Sequence, residues 1–442
     1  MSSSGRSYAG LLVLVATILG LSATAHAIPA FARKYGLPCS ACHEAWPKLN
    51  SFGQNFKDNG YQIMNERDAP IDQSPSYWPV AMRITPHWHF ESAGNTTVDT
   101  SPTERSVNTS GFDLTGIDIL AAGTLANNVS FLLVPSIDPG DGTVGFESAN
   151  VRLDNLWHSP WLNFKFGKFE LDLPLSEKRM MTLSNVGGIY QLYHFAPPGD
   201  AINDEVASFG ENQLGVELMG HSRNDHGRYS VSLISSTNGT PGLLGGRSYD
   251  GYVHFSQGFV WKGLGLQRVG AYAWVGQRST YFLTSGGDPI PGTGQGNRSF
   301  SRIGGYASLY FGKFDVTGVY QYAIDNSFLA NGVAATDALP LGSQAPKWNT
   351  GTIEAHYVYS PQLFIIGRYE LVRMSRQVNS ALPSDLGNTD VFTLGYRYYP
   401  FMHSRAGLAW HQEFATLRSK LTSDTGQDQR FNSYFMGFDF AF

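Results

Sequence analysis

The last eleven residues of the chain, NSYFMGFDFAF, alternate between large apolar and small or polar side chains. A period of two is typical of a β-strand with two different faces. One face carries Tyr434, Met436, Phe438, Phe440 and Phe442, and the other carries Gly437, Asp439 and Ala441. A soluble sandwich could contain such a strand, but a chain that ends on Phe after alternate aromatics resembles the closing strand of a bacterial outer-membrane barrel. We therefore expect one face to contact lipid and the other water.

Weaker alternation of the same kind recurs along the chain from residue 76 onward. The predicted strands are 80–91, 112–126, 129–137, 147–157, 161–171, 212–221, 228–236, 250–259, 266–279, 299–311, 313–324, 349–359, 362–374, 389–399, 404–417 and 431–442. The connections between them alternate between short and long, which is typical of outer-membrane barrels with short periplasmic turns. The sequence thus predicts an all-β fold, a transmembrane outer-membrane β-barrel of about sixteen antiparallel strands. An even number of strands leaves both the N- and the C-terminus in the periplasm.

The N-terminal end of the chain predicts export. An apolar run at 11–21, LLVLVATILGL, follows Arg6 and precedes the A-x-A pattern Ala25–Ala27, so residues 1–27 read as a signal peptide. After it, no stretch approaches the 18 or so apolar residues of a membrane-spanning helix. With 15% charged residues and a net charge of −5, the chain is not typical of a nucleic-acid binder. We expect a separate short N-terminal segment at 28–75 and the barrel at 76–442.

The only two cysteines of the chain lie in PCSACHEAW, residues 38–46. Cys39, Cys42 and His43 form C-x-x-C-H, the attachment motif of c-type haem, in which two thioether bonds fix the ring and the imidazole binds the iron. A redox disulfide would favour a βαβ setting, and a zinc site would need two further ligands of similar type nearby. The motif therefore predicts one covalent haem c, held by Cys39, Cys42 and His43.

The segment IPAFARKYGLPCSACHEAWPKLNSFGQNFKDNGYQ, residues 28–62, resembles the fused outer-membrane cytochrome-porin family of iron-oxidising bacteria. The resemblance rests on P-x-F-A-R, C-x-x-C-H and F-G-x-x-F-K-x-x-G-Y in the same order; over the rest of the chain it is architectural. It implies a small helical cytochrome segment in or at the barrel. It also implies electron transfer from extracellular Fe(II) to a periplasmic c-type cytochrome, so that the chain would be a haem-dependent oxidoreductase.

The second axial ligand of the iron is less constrained by the sequence. Met64, 21 residues after His43, is our first choice, because His/Met ligation raises the reduction potential; an apolar packing residue is the alternative. His87 and His89 share a strand face with Arg83 and should point into the lumen. They are expected to be a distal ligand, an iron-contacting pair or solvated lumen residues. Arg33 and Lys34 either balance the haem propionates or lie on the surface.

Three functions remain open at this level. The first is oxidation of extracellular Fe(II) by a haem segment that plugs the lumen or hangs below it. The second is a solute channel whose haem segment is a structural plug or a sensor gate. The third is an outward electron conduit to an extracellular acceptor. The lumen carboxylate and imidazole of Glu354 and His356 could attract Fe(II), but polar lumen residues occur in every porin.

Overall fold

The structure is a computed structural model of the chain. It describes residues 30–35, 37–45, 48–63, 80–97, 104–140, 142–173, 195, 197, 209–210, 212–236, 249–279, 290–292, 297–331, 333, 337–402, 406–420 and 428–441. The predicted signal peptide and the predicted boundary at residues 75 and 76 lie outside these residues.

Sixteen antiparallel strands form one closed barrel in the part of the chain that the structure describes. They are β1 Val80–Thr97, β2 Glu104–Ala126, β3 Val129–Ile137, β4 Val144–Leu153, β5 Asn163–Phe169, β6 Gln213–His221, β7 Gly227–Ser235, β8 Tyr249–Trp261, β9 Gly265–Ser279, β10 Asn297–Phe311, β11 Phe314–Ile324, β12 Lys347–Ser360, β13 Leu363–Arg376, β14 Thr389–Met402, β15 Gly407–Ser419 and β16 Gln429–Ala441. Each strand pairs with its neighbours in sequence, and β16 closes the barrel on β1. The predicted all-β barrel of sixteen strands is confirmed.

The side chains of the strands alternate between the lumen and the outer surface. In β8 the outward Phe255 is 57% exposed, whereas the neighbouring Tyr252 and His254 are buried inside. In β16 the inward Asp439 is fully buried and the outward Phe438 is exposed, as the alternation in the sequence predicted. The outer surface is thus rich in apolar side chains, as a lipid-facing barrel requires.

The two ends of the barrel differ in their connections. At one end, which we call the short-turn end, two to five residues join most strand pairs; Asn127-Asn128 is one such turn, and Asn128 has a positive φ of 61°. Asparagine tolerates this conformation better than most residues. At the opposite, long-loop end the connections are longer, and one contains the short helix Ser327–Ala330. Residues Leu156–His158 form a 3₁₀ turn at the short-turn end.

The N-terminal segment forms a compact unit that we call the plug, residues 30–63. It contains helix α1 Ala30–Tyr35, a 3₁₀ turn Cys39–Ala41, a pair of short strands at His43–Ala45 and Lys48–Leu49, and helix α2 Ser51–Asp58. Among the described residues, no helix is both long and apolar enough to cross a membrane.

Aromatic rings form the small core of the plug. Phe31 stacks on Tyr61 with ring centroids 5.1 Å apart and meets the edge of Phe56 at 4.8 Å. This cluster packs on Ala122 and Leu132 of the barrel wall. The P-x-F-A-R and F-G-x-x-F-K-x-x-G-Y motifs therefore supply the rings that close the plug on itself and on the wall.

The plug lies inside the lumen, near the short-turn end. Ala45 is fully buried against wall residues of three strands, Phe364, Ile366, Tyr399 and Ala409. The rings of Phe56 and Tyr61 contact a different part of the wall. A segment this short has too small a core to be stable alone, so the wall supplies the rest of its packing.

Candidate functional site

The C-x-x-C-H motif opens onto an internal cavity of about 380 Å³. Cys39, Cys42 and His43 all line it, together with apolar plug and wall residues. The motif is one 3₁₀ turn: the Cys42 N–H donates to the Cys39 carbonyl at 3.2 Å, and His43 begins a short strand opposite Leu49. The turn places Cys39, Cys42 and His43 along the same cavity.

Asn50 fastens this turn to helix α2. Its backbone N–H donates to the Cys42 carbonyl at 2.9 Å, and its side-chain amide donates to the Ala41 carbonyl at 3.0 Å. Its side-chain oxygen accepts from the Gly53 N–H at 2.9 Å and so caps the helix. One residue therefore joins the motif to the helix that follows it.

Gly53 brings α2 against the motif. A Cβ at this position would lie 2.1 Å from the Cys42 carbonyl oxygen, which no real side chain tolerates. The glycine of the F-G-x-x-F motif is thus required because the helix and the C-x-x-C-H turn approach so closely.

A row of neighbouring strand residues forms the barrel wall beside Cys39. Met402, Gly407, Ala441, Arg83 and Asp118 follow one another as register partners across β14, β15, β16, β1 and β2. All five line the cavity. A Cβ on Gly407 would lie 3.9 Å from the Cys39 sulfur, so the wall lies directly beside this thiol. The small residues in the middle of the row leave space next to Cys39.

Charged groups border the apolar cavity. Arg83 binds Asp439 at 3.0 Å and lies 3.9 Å from Asp118. An apolar cavity lined by two cysteines and a histidine fits the needs of covalent haem c, whose ring is apolar. The residues present therefore fit this cofactor.

The thiols themselves are half-buried and are not joined as a disulfide. Burial raises the pKa of Cys39, and burial together with the neighbouring Cys39 raises the pKa of Cys42 to about 11. Activated C-x-x-C thiols have lowered pKa values. Their surroundings therefore differ from those of a thioredoxin-like redox pair.

Two ion-pair networks hold the plug to the wall. In the first, Arg228 binds the buried carboxylate of Asp58, and Arg152 donates to the carbonyls of Lys57 and Asp58 at 2.6 and 2.8 Å. These bonds satisfy carbonyls at the C-terminal end of α2, where a cation is also favoured by the helix dipole. The end of α2 is therefore fixed to β4 and β7.

The second network involves the two lumen residues singled out in the sequence. Lys48 of the plug lies 2.5 Å from Asp315 and 3.3 Å from His356, whose other ring nitrogen contacts Glu354 at 2.5 Å. Glu354 also binds Arg368 at 3.0 Å. Glu354 and His356 are thus parts of a buried anchor for the plug.

The other residues that the sequence proposed as iron ligands or propionate partners either lie apart from the cavity or fall outside the described residues. Met64 and the side chain of Arg33 lie outside the described residues. Lys34 lies over the ring of Tyr35, 5.5 Å from its centroid. His87 and His89 lie on β1, beyond the stretch 81–83 that lines the cavity.

Sequence reasoning missed four kinds of residue at this site. They are the bridging Asn50, the close-packed Gly53, the wall residue Gly407 and the lining methionines Met82, Met219 and Met402. Only Gly53 had a signal in the sequence, as part of a motif. The others depend on which strands face the plug.

Known proteins support the fold of the barrel. The sequence matches no known family profile and no curated protein. The anion-selective porin of Comamonas acidovorans is similar in structure, with a TM-score of 0.51 and 14% identity over 82% of this chain and 98% of that chain. The outer-membrane channel DcaP of Acinetobacter baumannii has a TM-score of 0.50 and 11% identity over 82% and 97%. The barrel thus has the fold of outer-membrane porins; the resemblance to cytochrome-porin fusions stays a prediction.

Proposed function

We propose that this chain is an outer-membrane electron-transfer protein that holds one covalent haem c in its lumen and oxidises Fe(II). The observation that carries the proposal is that Cys39, Cys42 and His43 of C-x-x-C-H all line one apolar cavity inside the barrel. Bound there, haem would supply a one-electron centre. The two thiols would hold it covalently, and the imidazole of His43 would bind its iron.

The barrel residues would set the position and the surroundings of this centre. Asn50 fixes the motif, and the row from Met402 to Asp118 forms the wall. The cavity adjoins the short-turn end, which would place the centre close to the periplasm. A periplasmic c-type cytochrome is the expected electron acceptor, and Fe(II) or another extracellular reductant the expected donor.

We place the barrel in the outer membrane of a Gram-negative bacterium, with both termini periplasmic. The support for this placement is the porin-like fold, the apolar outer surface and the even number of strands. The N-terminal plug and the end of β16 both lie toward the short-turn end, which is periplasmic in bacterial barrels.

The test of the proposal uses the exported protein in detergent. A denaturing gel stained for haem should show a covalent band that Cys39→Ala with Cys42→Ala removes, and Fe(II) should reduce the haem rapidly in stopped-flow. A matched Cys39→Ser variant should keep a weaker band through its remaining thioether. Purified wild-type protein without Soret absorption would refute the cofactor.

A solute channel is the second function, and the structural comparisons alone favour it. Of the two similar structures described above, one is an anion-selective porin and the other is an outer-membrane channel. In that case the plug would be a structural constriction. Liposomes with the protein should then leak small solutes, while Fe(II) would leave any haem oxidised. Rapid electron transfer from the haem to an extracellular oxidant, without reduction by Fe(II), would instead favour an outward conduit.

A further inference from the structure

Two histidines and one carboxylate meet on the lumen face of β1 and β2, away from the plug. His87 and His89 are two residues apart on β1, so they point to the same face. Asp113 of β2 is the register partner of His87 and therefore shares that face. One ligand atom from each of the three lies within 4.8 Å of the others. Among the described residues, this is the one group of three metal-ligating side chains that converges in this way.

We infer that His87, His89 and Asp113 form a binding site for a divalent transition-metal ion, and that the ion bound in the cell is Fe(II). Two imidazoles and one carboxylate on one side of an ion form the facial triad that binds non-haem Fe(II) and leaves other positions open for water. Mg²⁺ and Ca²⁺ are poor candidates for this site, because these ions prefer oxygen ligands to imidazole nitrogens. The donor set therefore selects transition metals.

The ring of His87 is held in an orientation suited to this role. Its Nδ1 lies 3.2 Å from the Thr85 carbonyl, which can only accept, so Nδ1 carries the proton of this bond. The neutral ring then has its lone pair on Nε2. Phe435 stacks on the ring at 4.1 Å. Metal-binding histidines commonly have such a backbone partner on the second nitrogen, which fixes tautomer and orientation.

The three donors need only a small closure to bind an ion. With metal–ligand bonds of about 2.1 Å, donors at right angles lie about 3 Å apart. The three ligand atoms now lie within 4.8 Å of one another, so each would have to move by about 1–2 Å. Rotation of the side chains can supply a movement of this size. His89 is half-buried and Asp113 exposed, so these two side chains have room to move.

The position of this site gives it a role in iron oxidation. His87 lies four positions after Arg83 of the cavity wall on β1, which corresponds to about 13 Å along the strand. His87 lies on the long-loop side of the cavity, which is the extracellular side of a porin-like barrel. An ion held here would lie between the outside and the haem. This role as the site of Fe(II) entry rests on the proposed function, whereas the metal site does not.

The test is a metal titration of the full-length protein in detergent. Fe(II) is added without oxygen in a calorimeter to protein whose haem, where present, has first been reduced, and Co(II) is added while its visible absorption is recorded. We expect one site per chain, weakened at least about tenfold by His87→Ala and by the isosteric Asp113→Asn. His158→Ala, which removes an exposed histidine at the short-turn end, should bind like the wild type. Heat-modifiable migration on gels checks that each barrel is folded.

Equal affinity of the wild type and folded Asp113→Asn or His87→Ala would overturn the inference, and so would the absence of a defined site in the wild type. The Cys39→Ala, Cys42→Ala variant separates this outcome from the proposed function. Metal binding that persists in this haem-free variant and depends on Asp113 supports the metal site, even if Fe(II) never reduces the wild-type haem. In that case only the assignment of electron transfer fails.

Discussion

Arg228 of β7 holds the carboxylate of Asp58, the last residue of α2, with both of its terminal nitrogens. One nitrogen donates to Oδ2, and the other lies 3.3 Å from Oδ1 and 3.1 Å from Asp172. All of these groups are buried. A bidentate pair of this kind is strong and directional. It joins the plug to a wall strand 170 residues later in the chain.

Asp58→Asn should loosen the plug. Removing one charge of a buried pair costs about 3–5 kcal/mol, and the lower end applies here because Arg228 keeps Asp172. About 3 kcal/mol changes the docking equilibrium by roughly two orders of magnitude. In planar bilayers we therefore expect Asp58→Asn to open more often, or to a larger conductance, than the wild type.

Lys57→Met is the matched control on the same helix. Lys57 lies 3.5 Å from Glu170, and its side chain is more exposed than that of Asp58, so the pair contributes about 0–1 kcal/mol. Its conductance should stay close to that of the wild type. If both variants behave like the wild type, the plug does not depend on the Asp58 anchor.

The same carboxylate makes plug docking sensitive to acid. Burial favours the neutral acid, but the charges of Arg228 and His221 and a hydrogen bond from Gln54 outweigh it, and the pKa of Asp58 lies below its ordinary value. A lowered pKa in the docked state means that the stabilisation is complete above the ordinary value of about 3.9 and is lost as the pH falls through the lower value. Wild-type conductance should therefore rise below about pH 4, while Asp58→Asn should lack this step.

Gly53→Ala should disturb haem attachment without harming the barrel. The added Cβ would collide with the Cys42 carbonyl oxygen, so α2 must move away from the motif at a cost of about 1–3 kcal/mol. We expect a weaker haem-stained band at unchanged amounts of folded barrel. Ser51→Ala, an exposed change on the same helix, should leave the band intact. Full haem content in Gly53→Ala would show that the motif tolerates a displaced helix.

The fold could be predicted because alternation marks each strand that has a lipid face and a wet face. The prediction was wrong mainly at strand ends. The predicted loop 92–111 is largely strand, since β1 continues to Thr97 and β2 begins at Glu104. Beyond the apolar band both faces of a strand meet water, so the pattern fades while backbone pairing continues.

The site could be predicted only where its residues are adjacent in sequence. C-x-x-C-H is local, and so is the shared face of His87 and His89. The partner Asp113 depends on the register of β1 and β2, and that register shifts by one residue between Ile84 and Pro86. The row from Met402 to Asp118 depends on four strand pairings. No pattern within a single strand encodes such relationships.

The last prediction concerns the sixth ligand of the proposed haem. Met64, our choice from the sequence, lies outside the described residues. Met402 is its structural rival, because it lines the cavity and is the register partner of Gly407, the wall residue beside Cys39. Met82 and Met219 also line the cavity. All four can be changed to Leu, which keeps the apolar volume and removes the sulfur.

Loss of a methionine ligand should lower the reduction potential of the haem and change its low-temperature absorption, because thioether ligation favours the reduced iron. We expect Met64→Leu to have this effect, and Met82→Leu, Met219→Leu and Met402→Leu to leave potential and spectrum unchanged. The haem-stained band should persist in all four, since the thioether bonds do not involve methionine. If Met402→Leu alone moves the potential, Met64 is wrong and the barrel wall supplies the ligand. In that case the haem iron would join the plug to the wall, and the plug would resist the opening that Asp58→Asn is expected to cause. Met402→Leu and Asp58→Asn together therefore tell whether the N-terminal segment or the barrel wall supplies the sixth ligand.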